Sequence, residues 1–143
     1  MTAATTAGIK EARELFAKIL GVSGDETIVG DSSSLNMMYD TVSRAMLFGV
    51  YGSERPWGKE KKISFLCPVP GYDRHFFICQ NFGINMINIP TGADGPDMDL
   101  VEKYLSEDES IKGIWCVPRF SNPEGKVYSD EVVRRFASLS PKA

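Results

Sequence analysis

The sequence predicts an α/β protein in which helices cover both faces of a mostly parallel sheet, a three-layer α/β/α arrangement. Helix-like and strand-like segments alternate along the chain, and this order is typical of parallel sheets with helical crossovers. The strand-like segments are short and almost uninterrupted in apolar residues, as in strands covered on both faces. Polar loops follow several of them, where ligands bind in open α/β sheets.

The first helix is predicted over residues 9–20, where apolar residues recur at helical spacing and Gly21 can end the helix. Residues 27–29 are a short strand-like segment. They lead into a polar turn that contains Ser32, Ser33 and Ser34, and a second helix is predicted over residues 35–48.

The remaining elements continue the alternation after an irregular connection over residues 50–62. Strands are predicted over residues 63–69, 84–89 and 111–117, each ended by a proline within or just beyond it. A short helical stretch lies within residues 71–82, and another helix is predicted over residues 97–105. The last helix begins at Ser129, a residue type favoured as an N-cap.

The size and composition are those of one ordinary soluble domain, with 143 residues, 43% hydrophobic and 24% charged. The net charge of −3 favours neither nucleic acid nor anionic lipid as a partner. No run approaches the roughly 18 apolar residues of a membrane span, and the N-terminus lacks the apolar core of a secretory signal. We therefore expect a cytoplasmic protein with no membrane or nucleic-acid partner.

The cysteine and histidine content argues against metal and disulfide chemistry. Cys67, Cys79 and Cys116 are odd in number and each lies in an apolar segment, so we expect buried free thiols. His75 is the sole histidine, which excludes a zinc site made of two histidines. No metal site is expected.

Three groups of polar or aromatic residues follow predicted strands, and each has two interpretations. Ser32, Ser33 and Ser34 suit phosphate binding at a helix N-terminus, but one of the three serines suffices for ordinary capping. Tyr72 can stack on a flat ligand or pack within the protein. Asn122 can direct an amide toward a ligand oxygen, or it can belong to a plain turn over residues 119–125.

Five sequence blocks resemble the large domain of fold-type-I aminotransferases that depend on pyridoxal phosphate. The likeness is greatest to the MocR-like bacterial branch that includes aspartate aminotransferases. It extends over about residues 8–138, in the family's order and spacing. The blocks are GDSSSL at 30–35, RPW at 55–57, CPVPGYDRH at 67–75, DGPDMD at 94–99 and VPRFSNP at 117–123.

The resemblance implies a role for four residues in binding pyridoxal 5'-phosphate. Ser33 and Ser34 match the turn that holds the cofactor phosphate, and Tyr72 matches the aromatic residue that stacks on the pyridine ring. Asn122 matches the amide that hydrogen-bonds the phenolic oxygen, in a loop whose Asn-Pro bond is often cis. Glu124 departs from the family, which usually has threonine there.

The resemblance also implies that residues 1–143 are part of a cofactor-binding large domain, without a second domain. Three family parts have no match: the acid at the pyridinium nitrogen, the Schiff-base lysine and the arginine that holds the substrate carboxylate. In the family, the strand at residues 27–31 pairs with a strand that this chain lacks. We expect no transamination by the 143-residue chain alone.

The function implied for the full-length enzyme is transfer of an amino group between an amino acid, with aspartate as a candidate, and a 2-oxo acid. A homodimer is implied as well, since family members build their sites across a dimer interface. The alternative is a non-catalytic α/β module that binds a partner chain or retains only cofactor binding.

Overall fold

The computed structural model describes residues 7–30 and 32–140, and five α-helices and three β-strands lie in these ranges. The chain divides into two compact units, residues 1–41 and residues 42–143, and the boundary lies within the second helix. Short 3₁₀ turns occur at Gly24–Glu26 and Trp57–Lys59. The main elements are, in order, α1 (Lys10–Leu20), α2 (Ser34–Phe48), β1 (Ser64–Val69), α3 (Asp73–Asn81), β2 (Asn85–Pro90), α4 (Met98–Glu107), β3 (Ile111–Ile114) and α5 (Asp130–Ala137).

In the first unit, α1 is tied to the segment that follows it by one arginine. Gly21 ends α1 in the left-handed conformation, with φ of 73°, as predicted. The Arg13 guanidinium then donates to the carbonyl of Gly24 at 2.6 Å and to that of Thr27 at 3.0 Å. These bonds satisfy one carbonyl of the 3₁₀ turn and one of the irregular segment that follows it.

The strand predicted at residues 27–31 is wrong for the residues that can be described, since Thr27 to Gly30 form no strand. Val29 N–H donates to the carbonyl of Ala7 at 2.9 Å, but no strand pairs with this segment in the described part of the chain. Its β-branched residues favour extended backbone, yet a strand also requires a neighbour. Asp31 lies outside the described residues.

The second unit is built on a parallel sheet in the order β2-β1-β3. In the register, Leu66 of β1 lies opposite Ile87 on one side and Ile114 on the other. β3 is shorter than predicted and ends at Ile114, although Trp115 N–H still donates to the carbonyl of Leu66 at 3.1 Å. The predicted α/β class is confirmed, with helices flanking a parallel sheet.

The two faces of β1 are covered by different helices, because successive side chains of a strand point to opposite faces. Leu66 packs with α4 and α5 in a core cluster whose members are all buried. On the other face, Phe65 contacts Trp115, and the Trp115 indole N–H donates to Cys79 of α3 at 3.2 Å. The members of the core cluster are Leu66, Ile89, Met98, Val101, Ile111, Tyr128 and Val132.

The cysteines are all free thiols, and two of the three are buried as predicted. Cys67 and Cys79 have 1% or less of their surface exposed, whereas Cys116 is exposed and the prediction of its burial is wrong. Cys116 lies two residues beyond the end of β3. In the described ranges, no helix is long and apolar enough to cross a membrane, and no cluster of acidic, cysteine and histidine side chains suits a metal ion.

Candidate functional site

The carboxyl ends of the three strands converge on one pocket of the second unit. Tyr72 comes from the turn after β1, Thr91 follows β2, and Asn122 lies in the loop after β3. Ligand sites of open parallel sheets lie at this edge. The pocket thus brings together two of the four predicted cofactor residues, Tyr72 and Asn122.

Tyr72 is half-buried at the start of α3, where the chain makes a close turn. It is the N-cap residue of the helix, and its carbonyl accepts a hydrogen bond from His75 N–H at 3.1 Å. At Gly71, a Cβ atom would lie 2.5 Å from the carbonyl oxygen of Pro68, too close for any side chain. Glycine therefore lets the chain turn sharply and present the Tyr72 ring to the pocket.

Asn122 is exposed, in a loop whose conformation is held by its neighbours. Ser121 N–H donates to the Lys126 carbonyl at 3.0 Å, and Lys126 N–H donates to the Ser121 hydroxyl at 3.1 Å. The Asn122–Pro123 bond is cis, as the resemblance implied. Phe120 has φ of 53°, a conformation uncommon outside glycine and enriched at ligand sites. Residues 122–124 do form a turn, and the uncommon backbone of Phe120 lies two residues before it.

Glu124, where the sequence departs from the family pattern, has a local partner. Its carboxylate lies 2.9 Å from the ammonium of Lys126 in the same loop. This pair neutralises a charge that would otherwise repel an anionic group at the pocket. Glu124 therefore does not prevent Asn122 from meeting an oxygen with partial negative charge.

Ser33 and Ser34 belong to the first unit, at the start of α2. The Ser33 hydroxyl accepts a hydrogen bond from Asn36 N–H at 3.3 Å, so Ser33 performs ordinary N-capping. Its hydroxyl proton can still be donated, because a serine hydroxyl is both donor and acceptor. Ser34 is the first helical residue and is exposed, beside N–H groups that have no partner within the helix.

The pocket wall contains residues that sequence analysis missed. The His75 imidazole is 6% exposed and lies between Tyr72 and Trp115, and its burial lowers the pKa of the imidazole below its usual value. Tyr128 is buried, and burial raises the pKa of its phenol. The position of His75, three residues after Tyr72 on a predicted helix, was the available signal.

In the pocket of the second unit, Tyr72 and Asn122 are of types that suit an aromatic ring that carries a phenolic oxygen. Tyr72 offers a ring face, and the Asn122 amide has no hydrogen-bond partner among residues 7–30 and 32–140. Ser33 and Ser34 offer hydroxyls at a helix N-terminus, which suits a phosphate dianion. Thr91 has a buried hydroxyl oxygen without a partner in the described part of the chain, but this oxygen is closed to solvent.

Comparison with known proteins identifies relatives along nearly the whole chain. A family model described as aspartate amino-transferase matches residues 3–143. A Mycolicibacterium smegmatis protein named as an aminotransferase is 46% identical over 136 residues, which are 95% of this chain and 32% of that protein. The aspartate aminotransferase of Corynebacterium glutamicum is 45% identical, with 95% of this chain and 31% of that protein covered.

Solved structures agree with these sequence relatives. An aspartate transaminase structure from Corynebacterium glutamicum matches with a TM-score of 0.91 and 44% identity, over 96% of this chain and 32% of that one. An α-aminoadipate aminotransferase of Thermus thermophilus, in complex with N-(5'-phosphopyridoxyl)-L-leucine, matches at 20% identity with a TM-score of 0.70, over 92% of this chain and 30% of that one. The chain thus spans about a third of the length of the relatives it matches.

Proposed function

Because this chain belongs to the aspartate amino-transferase family, we propose that it forms the part of an aminotransferase that binds pyridoxal 5'-phosphate. The full-length enzyme moves an amino group between an amino acid and a 2-oxo acid. Aspartate is the amino acid suggested by the name of the Corynebacterium glutamicum relative. When bound, the cofactor supplies an electron sink for charge that develops at the substrate α-carbon.

One observation carries this proposal: Tyr72 and Asn122 leave the ends of two different strands and line one pocket. The Tyr72 ring provides a face for the pyridine ring, and offset stacking of aromatic rings is favourable. The Asn122 amide donates to the phenolic oxygen and stabilises negative charge there. Neither side chain is needed at this edge to complete the sheet or the core cluster.

The phosphate is assigned to the beginning of α2. The hydroxyls of Ser33 and Ser34 and the backbone N–H of Leu35 can all donate at a helix N-terminus, where the helix dipole favours an anion. Ser33 can donate its proton while its oxygen keeps the capping bond from Asn36.

The remaining parts of the proposal concern the full-length protein. We assign the lysine that bonds to the cofactor, the acid at the pyridine nitrogen and the arginine for the substrate carboxylate to the rest of the relatives' length. The full-length enzyme is proposed to be a cytoplasmic homodimer. Residues 1–143 are proposed to be part of its large domain.

Titration of the 143-residue protein with pyridoxal 5'-phosphate tests the cofactor site, with quenching of tryptophan fluorescence as the readout. Of the two tryptophans, Trp115 lines the pocket and Trp57 does not. Tyr72→Leu removes the ring and is expected to weaken binding by about three- to tenfold, whereas Tyr72→Phe keeps it and binds like wild type. Asn122→Ala and Ser34→Ala each remove a donor to a charged group and are expected to weaken binding by at least about tenfold.

The matched control for the serine is Ser106→Ala, an exposed serine of α4 that does not line the pocket. It is expected to bind the cofactor as wild type does. If the wild type, Tyr72→Leu and Asn122→Ala proteins bind pyridoxal 5'-phosphate with equal affinity, Tyr72 and Asn122 are not the residues that hold the cofactor ring. Absence of saturable binding would favour the alternative of a non-catalytic module.

A further inference from the structure

Three rings form a continuous series on the α3 face of the sheet, and Tyr72 is its outermost member. The His75 and Trp115 rings are stacked, with centroids 4.8 Å apart and an interplanar angle of 17°. The Tyr72 and His75 rings meet edge to face, with centroids 5.2 Å apart and an angle of 90°. We call Tyr72, His75 and Trp115 the ring series.

We propose that His75 is a positioning residue for Tyr72, and that its imidazole sets the tilt of the ring against which a flat heteroaromatic ligand stacks. The inference rests on the proposed function only in naming Tyr72 as the stacking residue. Stacking depends on the orientation of both rings, so a Tyr72 ring held at one tilt binds a flat ligand better than a ring that samples several.

The inner end of the ring series is fixed. The Trp115 indole N–H donates to Cys79 Sγ at 3.2 Å, and the indole ring also contacts Phe65 at a centroid distance of 5.7 Å. The backbone of Trp115 continues the pairing with β1 through its bond to Leu66. These contacts hold the Trp115 ring in place, and the imidazole packs against it.

The imidazole itself is held by ring contacts. His75 is 6% exposed, and neither of its ring nitrogens hydrogen-bonds another residue in the described ranges. Burial lowers its pKa, so the ring is neutral at pH 7 and carries no charge that would need a partner. Within the described ranges, the imidazole therefore contacts its neighbours through its face and its edge.

Because His75 is the sole histidine, nuclear magnetic resonance observes its ring without overlap. The wild-type protein is expected to show contacts between His75 ring protons and both Tyr72 and Trp115. The Tyr72 ring signals, identified by their loss in Tyr72→Phe, are expected to be displaced from those of an unstructured tyrosine. His75→Leu should return them toward the unstructured values, and His75→Phe, which keeps a flat ring, should restore them.

Phe77→Leu is the matched control, because Phe77 lies on the same helix, is 54% exposed and does not line the pocket. It is expected to leave the Tyr72 signals unchanged. Affinity for pyridoxal 5'-phosphate should follow the same order, with His75→Leu weaker by about three- to tenfold and His75→Phe like wild type.

The outcomes separate this inference from the proposed function. Unchanged Tyr72 signals in a folded His75→Leu protein would overturn the inference, as would a folded His75→Phe protein that fails to restore them. If His75→Leu does not fold, the wild-type ring contacts and the His75→Phe signals decide instead. The protein could also show the expected ring contacts and yet never bind pyridoxal 5'-phosphate. That result would reject the proposed function and support only the role of His75 in orienting the Tyr72 ring.

Discussion

Tyr72 and Asn122 reach the same pocket, but different forces hold them. Tyr72 depends on a glycine turn and on ring contacts with His75, whereas Asn122 depends on hydrogen bonds within its own loop. Their positions after strands made both predictable from the sequence. His75 lies three residues after Tyr72 on a predicted helix, and this spacing was the available signal for it. Trp115 was not predicted as a neighbour of the site, because stacking between two elements leaves no pattern in either segment.

The buried imidazole predicts a dependence of stability on pH. His75 has a pKa below 6.5 in the folded protein, so the unfolded chain binds its proton more readily. The stability that this group contributes is present above pH 6.5 and is lost as pH falls through the folded-state pKa. Wild type should therefore lose more free energy of unfolding than His75→Phe between pH 6.5 and pH 5, measured by urea denaturation.

Carboxyl groups do not account for this difference. The carboxyl groups with lowered pKa values, such as Asp108 at about 2, gain protons at lower pH and are the same in both proteins. Equal loss of stability in wild type and His75→Phe would show that His75 is not buried as a neutral ring.

At the scale of elements, the pattern of apolar residues predicted the five α-helices and the three paired strands of the described residues, with differences of a few residues at their ends. The strand at residues 27–31 failed because β-propensity cannot supply a pairing partner. Ser129 was predicted as an N-cap and accepts the expected bond from Val132 N–H at 3.3 Å. For the helix predicted over residues 97–105, Asp97 was expected to be the first helical residue. It is instead the N-cap of α4.

The Asp97 cap provides a test of how α4 begins. Its carboxylate accepts hydrogen bonds from the N–H groups of Asp99 and Leu100, both at 3.1 Å. Asp97→Ala should lower the free energy of unfolding by about 1 kcal/mol, because two helix N–H groups lose their partner. Asp97→Asn retains an acceptor and should be close to wild type in urea denaturation. A loss as large in Asp97→Asn as in Asp97→Ala would assign the effect to charge instead of capping.

At the scale of the whole molecule, the chain accounts for about a third of its relatives' length. In the described part of the sheet, β3 pairs on one side only, with β1. The first unit exposes large apolar side chains, such as Leu15 at 58% and Ile19 at 71%. The candidate cofactor residues lie within the chain, but turnover has to be tested together with the remaining two thirds of a relative.

The most direct measurement is transamination by a chimaera in which this chain replaces the matching segment of the Corynebacterium glutamicum aspartate aminotransferase. We expect the chimaera to bind pyridoxal 5'-phosphate and to transfer the amino group of aspartate to a 2-oxo acid. Tyr72→Leu should lower kcat/KM by about three- to tenfold, and the isolated 143-residue chain should show no turnover. A folded chimaera that neither binds the cofactor nor transaminates would contradict the central claim that this chain forms the cofactor site.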